Sequence, residues 1–146
     1  MLKEARDCFI LPSLQSLSNL LRLLANRFAT IVMLSRTHGQ PASPTTMGKE
    51  FLNFHSRIER LLNKLAKVSI KGKFNGATGN YSAHRVTFPN INWPITSKRF
   101  INSLNISENK YTTQIEPHDY ICEINNILIH INSILIGFSQ DMWSYI

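Results

Sequence analysis

Acidic side chains are scarce in this sequence: nine Asp and Glu stand against sixteen Lys and Arg, a formal net charge of +7. The imbalance favours anionic partners, but helices rich in Lys and Arg are ordinarily solvated faces. A substrate with a phosphate and several carboxylates fits the charge, and no nucleic-acid partner is expected. Cysteine is nearly absent. Cys8 and Cys122 stand far apart, in neither metal-ligand nor redox spacing, which suggests buried thiols in a reducing compartment. His55, His84 and His130 have no companions in metal spacing, so neither a metal nor another cofactor is expected. The spacing of a P-loop is missing, and with it any indication of nucleotide hydrolysis. Uninterrupted apolar runs are short and broken by Asn, and no signal-peptide pattern precedes them, so the chain reads as soluble and cytoplasmic with no membrane partner.

What is present is helical periodicity. With 43% hydrophobic residues over 146 positions, the chain can bury one core. Residues 1–30 carry Phe9, Leu14, Leu17, Leu21, Leu24 and Phe28 at spacings of three and four, the stripe of one helix, with a kink expected at Pro12, or a short helix ending there and a longer one beginning. Ile31 to Leu34 reads as extended or as a last helical turn. Residues 44–68 form a second helix with Phe51, Phe54, Ile58, Leu61 and Leu65 facing a neighbour at a shallow angle. Residues 70–116, with Gly72, Gly76, Gly79, Pro89 and Pro94, are a loop-rich excursion holding a short helix at 94–104, anchored by Trp93 with Phe100, Ile101 and Leu104 on one face. Residues 118–146 form a long helix whose apolar surface is wide enough to be covered on more than one side. Both ends look cut through helices. The fold class expected is all-α, a bundle of long helices, and the chain is read as one partial domain lacking its flanking parts.

Between the first two helices lies Arg36-Thr37-His38-Gly39-Gln40-Pro41-Ala42-Ser43-Pro44-Thr45-Thr46. Gly39, Pro41 and Pro44 argue against a helix or a central strand, so residues 35–44 are read as a loop. Ser43 followed by Pro44 is a helix-start signal. His38 then sits on a short constrained loop, a good place for a proton donor, although a lone loop histidine is as readily a surface or hydrogen-bonded one. Arg36 suits either a carboxylate or plain solvent. Asn75, Gly76 and Gly79 either line a pocket or serve only the turn. His118 and Asp119 read as a cap of the last helix rather than a functional pair, because adjacent side chains point apart.

RTHGQPASPTTMGKE resembles the second conserved region of the fumarase/aspartase superfamily, most closely in its adenylosuccinate lyase family. KFNGATGNY at 73–81 and YTTQIEPHDY at 111–120 agree with that family in order and spacing. The resemblance covers essentially the whole chain, which has about a third of a full member's length. It implies part of the central helical domain of a homotetramer. It also implies elimination of fumarate from adenylosuccinate, giving AMP, and from succinyl-aminoimidazole-carboxamide ribotide in purine biosynthesis. By the same resemblance His38 is the general acid, and imidazole as a group suits that task. Gln114 is implied as a substrate contact, its alternative being a turn residue, and Thr37 either touches substrate, orients the ring or caps the loop. Nothing resembles the family's SSxMPxKxNP loop with its serine base, so the isolated chain is expected to be inactive. The alternatives are another superfamily lyase, such as argininosuccinate lyase or fumarase, and a non-catalytic helical interaction module.

Overall fold

The computed structural model describes residues 1–146 as two compact units, Met1–Lys67 with Asn126–Ile146, and Val68–Asn125. The first begins with helix α1, Leu2–Arg27. Pro12 has no N–H to return to the carbonyl four residues back, and the irregularity expected there takes the form of a widened turn. Ala5–Ile10 is π-helical, and the Leu11 N–H reaches back five residues to the Arg6 carbonyl.

After α1 come strands β1, Val32–Thr37, and β2, Gln40–Thr46, paired antiparallel. This corrects the reading of 35–44 as a loop. A two-stranded ribbon has only edge strands, so each proline can turn its donor-less nitrogen away from the ladder. Pro41 opposes Arg36 and Pro44 opposes Leu34, and the register shift between Leu34 and Arg36 sets Ala42 and Ser43 against Ser35 as a bulge. Because Pro44 belongs to this ladder, helix α2 starts later than the Ser43-Pro44 signal suggests, spanning Met47–Lys67. Its N-cap is Thr46, whose hydroxyl accepts the Lys49 N–H at 3.2 Å.

The spacing of Phe51, Phe54, Ile58, Leu61 and Leu65 is the spacing of the buried face of α2. Phe51, Phe54, Ile58, Leu61 and Leu62 pack with Leu21 and Ala25 of α1 and with Ile131 and Ile134 of α5, Asp119–Tyr145. The Phe138 ring meets Phe54 edge-on at 5.1 Å. Gly48 lets the first turn of α2 approach α1 closely, since a Cβ there would fall on the Ala25 carbonyl and the Ala29 backbone. One polar cluster crosses this interface: the fully buried Ser18 hydroxyl donates to Glu59 and lies 2.9 Å from His55 Nδ1.

The second unit holds β3, Lys71–Gly72, parallel to β4, Ser107–Glu108, with α3, Ser82–Thr87, and α4, Trp93–Ser103, between them. α3 is an element the sequence reading lacks. The Asn92 side chain caps α4 by accepting the Ile95 N–H. Of the face assigned to α4, Ile101 is buried whereas Phe100 and Leu104 are exposed. Trp93 donates its indole N–H to the Phe88 carbonyl, and the His84 ring packs against it at 4.7 Å.

The architecture is predominantly helical, as expected for the class. Two expectations are corrected. Cys8 and Cys122 are free and exposed rather than buried. Leu2–Arg27 and Asp119–Tyr145 are long and apolar enough to cross a membrane by length and composition alone. Asn and Ser scattered among the apolar residues leave no long unbroken run, yet these helices reach a mean hydropathy of 1.3 and 1.4. The core helix of a bundle passes the same test.

Candidate functional site

His38 and Gly39 are the two central residues of the β1–β2 turn, with Thr37 paired to Gln40 across it. Both have positive φ, 51° and 73°, the combination of a type I′ turn, whose twist matches that of the flanking strands. Histidine is among the residues that enter this region at low cost, and glycine enters it freely. The imidazole is therefore carried at an exposed hairpin tip rather than on an irregular loop. The Arg36 guanidinium donates to the Gly39 carbonyl at 3.3 Å, tying the strand to its own turn, so Arg36 has a local partner. Thr37 is an exposed ladder residue, the last of β1 before the turn.

A cleft of about 470 Å³ opens beside the hairpin. Arg36 and Gly39 line it from the hairpin, and Glu50, Asp141 and Tyr145 from the helices. Burial pushes the Tyr145 hydroxyl above its ordinary pKa, and the carboxylates of Glu50 and Asp141 add to the effect. No group of three or more His, Cys, Asp and Glu is gathered here or elsewhere to hold a metal ion.

His38 and Thr37 belong to the first unit and Gln114 to the second. Gln114 lies on a segment, Asn109 to His118, that is neither helix nor strand. Such a backbone needs side chains to hold it. The Lys73 ammonium donates to the Gln114 carbonyl and to the Gly76 carbonyl, each at 2.8 Å. Asn75, 1% exposed, donates its amide to Thr112 Oγ1 at 2.9 Å. Gly79, at φ +80°, packs so closely on the Thr112 carbonyl that a Cβ would overlap it. The 73–81 and 111–120 stretches, separate in the sequence reading, thus form one structure, with the Gln114 amide exposed on it. Asn75 turns inward as a tie between them, not outward as a pocket lining.

The same segment ends on a pair the sequence reading missed. Glu116, 7% exposed, accepts the side-chain N–H of Asn109 and the backbone N–H of His118, and its carboxylate lies 2.9 Å from His118 Nδ1. Burial pushes the Glu116 carboxyl up, but the bonds from Asn109 and His118 outweigh it and leave the carboxyl below its ordinary pKa. His118 has a φ of 64° and its carbonyl accepts the Ile121 N–H at the start of α5. Its side-chain partner is Glu116, two residues back, where the strand-like spacing of the pair gives no helical signal.

The chain belongs to the lyase family, whose model matches residues 1–146. Over its whole length it is similar to adenylosuccinate lyases: 49% identical to that of Legionella pneumophila (strain Corby), 51% to that of Buchnera aphidicola subsp. Schizaphis graminum and 50% to that of Escherichia coli (strain K12). The chain spans 32% of the length of each. In fold it is similar to a fumarate lyase from Mesorhizobium sp. BNC1, with a TM-score of 0.76 and 21% identity over 97% of this chain and 32% of that one.

Proposed function

We propose that this chain is the proton-donating portion of an adenylosuccinate-cleaving lyase, a part of the central helical domain that forms fumarate and AMP by β-elimination. The same site would cleave succinyl-aminoimidazole-carboxamide ribotide. Elimination needs a base to take the proton beside a carboxylate and an acid to protonate the leaving nitrogen. His38 is the acid, and the observation that carries this assignment is its place at the tip of a type I′ hairpin, where the imidazole is exposed and its backbone fixed. Gln114 orients the substrate through its amide, and Thr37, next to His38 on the ladder, is a second contact. The 146 residues contain no segment resembling the family's serine-base loop, so the chain alone is inactive.

The exposed apolar residues Leu20 and Leu23 of α1 and Ile129, Ile136 and Trp143 of α5 are the surface a homotetrameric helical core would cover. Covering by protein rather than lipid is favoured by Arg6, Asp7 and Arg22 on α1 and Asn132 and Asp141 on α5, which are costly in hydrocarbon. The protein is then cytoplasmic, needing neither cofactor, membrane nor nucleic acid. The test is complementation: this chain is expressed with a second chain supplying the remaining family segments, and fumarate release is followed. Activity that falls by about two to four orders of magnitude in His38→Ala supports the assignment. An assembled, active complex indifferent to His38→Ala refutes it, and turnover by the chain alone refutes the predicted inactivity.

A further inference from the structure

We propose that Lys73 is a positioning residue for Gln114, fixing the backbone from which the substrate-binding amide projects; the proposal rests on the reading of Gln114 as a substrate contact. Three observations carry it. Residues 109–118 have no ladder or helix of their own, so their conformation is set from outside. The ammonium of Lys73 bonds the Gln114 carbonyl itself, at 2.8 Å, across 41 residues of sequence. Its second bond, also 2.8 Å, goes to the carbonyl of Gly76, a residue at φ +81° in the neighbouring turn. One cationic group therefore staples the glycine turn to the Gln114 segment through two charge-assisted bonds, which are roughly twice as strong as neutral ones.

The remaining ties act elsewhere on the segment. Asn75 holds Thr112, and Glu116 holds Asn109 and His118. Without Lys73, the residues between Thr112 and Glu116 keep no bond from the glycine turn at Gln114, and the amide loses its fixed origin. Lys73 acts through Gln114, by position, without touching substrate.

The first measurement is made on the 146-residue chain labelled with ¹⁵N, comparing backbone relaxation at residues 112–116 in the wild type, Lys73→Met and Lys73→Arg. The expected result is order in the wild type, fast motion in Lys73→Met and recovery in Lys73→Arg, with the signals of Ile58 and Leu61 unmoved. Order that persists in Lys73→Met, or a segment already mobile in the wild type, overturns the proposal. The second measurement uses the complemented enzyme with adenylosuccinate. Gln114→Ala and Lys73→Met are each expected to raise KM about tenfold, more than they lower kcat, and the double variant to be no worse than Gln114→Ala. Full additivity overturns the positioning role. An unchanged KM in Gln114→Ala instead sinks the substrate-contact reading, a failure separate from that of the Lys73 tie, which the relaxation data decide.

Discussion

The carboxylate of Glu116 takes the backbone N–H of His118 and sits 2.9 Å from the same residue's Nδ1, so one buried acid holds both the main chain and the ring at the entrance to α5. The folded-state pKa of Glu116 is depressed from its ordinary 4.5. Its contribution is therefore fully present above that value and is lost as pH falls through the lower folded pKa. Acid titration of stability, by urea unfolding between about pH 2 and 7, should show a decline starting near pH 4.5 that Glu116→Gln flattens. At neutral pH the same variant should cost about 1.5–3 kcal/mol, the range for hydrogen bonds to a charged group. A flat wild-type profile would count against the pair.

Gly48→Ala sets two effects against each other. Alanine gains about 1 kcal/mol of helix propensity over glycine. The added methyl falls on the Ala25 carbonyl and the Ala29 backbone, which cannot rotate aside as a flexible side chain can. Overpacking costs about 1–3 kcal/mol, and against backbone the upper end applies, so the net expectation is destabilisation by about 1–2 kcal/mol. Thermal melting decides it, and a raised Tm would mean that α1 and α2 can separate at this crossing without loss.

The helices were legible because burial follows the period that the sequence displays: Phe51, Phe54, Ile58, Leu61 and Leu65 all lie on the buried face their spacing assigns. The hairpin was not. Gly39, Pro41 and Pro44 are breakers in a helix or a central strand, yet a two-stranded ribbon has no centre, and His38-Gly39 fills the role usually signalled by Asn-Gly. His38 itself could be singled out from its motif, but its left-handed backbone could not. Lys73 and Glu116 were missed for a different reason. Their partners are a carbonyl 41 residues away and a residue two positions on, and neither relation leaves a periodic trace. The stripe of α1 and the wider one of α5 were legible, each on one long helix, while the mean hydropathy those lengths reach was obscured by interspersed Asn and Ser.

Gly79→Ala should be the most disruptive single methyl in the second unit. Position 79 has a φ of +80°, which costs an L-residue roughly 1–2 kcal/mol. The new Cβ would also overlap the Thr112 carbonyl and touch the Asn75 amide, whose bond to Thr112 Oγ1 helps join the glycine turn to the Gln114 segment. Hydrogen exchange followed by mass spectrometry should show lost protection at residues 73–81 and 109–116 together, with the helices of the first unit unaffected. Protection lost in only one of the two stretches would show that they are not one cooperative structure.

Substitution of His38 can separate the turn from the imidazole. Asparagine enters the left-handed region more readily than most residues and favours type I′ turns, so His38→Asn should keep the β1–β2 register while removing the proton donor. Valine is β-branched and has a genuine penalty at a φ of 51°, so His38→Val should loosen the hairpin as well. The cross-strand contacts of Met33 with Thr45 and Thr37 with Gln40, read by nuclear Overhauser effects, should survive in His38→Asn and weaken in His38→Val. Fumarate release by the complemented enzyme should fall by about two to four orders of magnitude in both. If His38→Asn retains near-full activity with the hairpin intact, position 38 contributes only a turn, and the proton must come from another group.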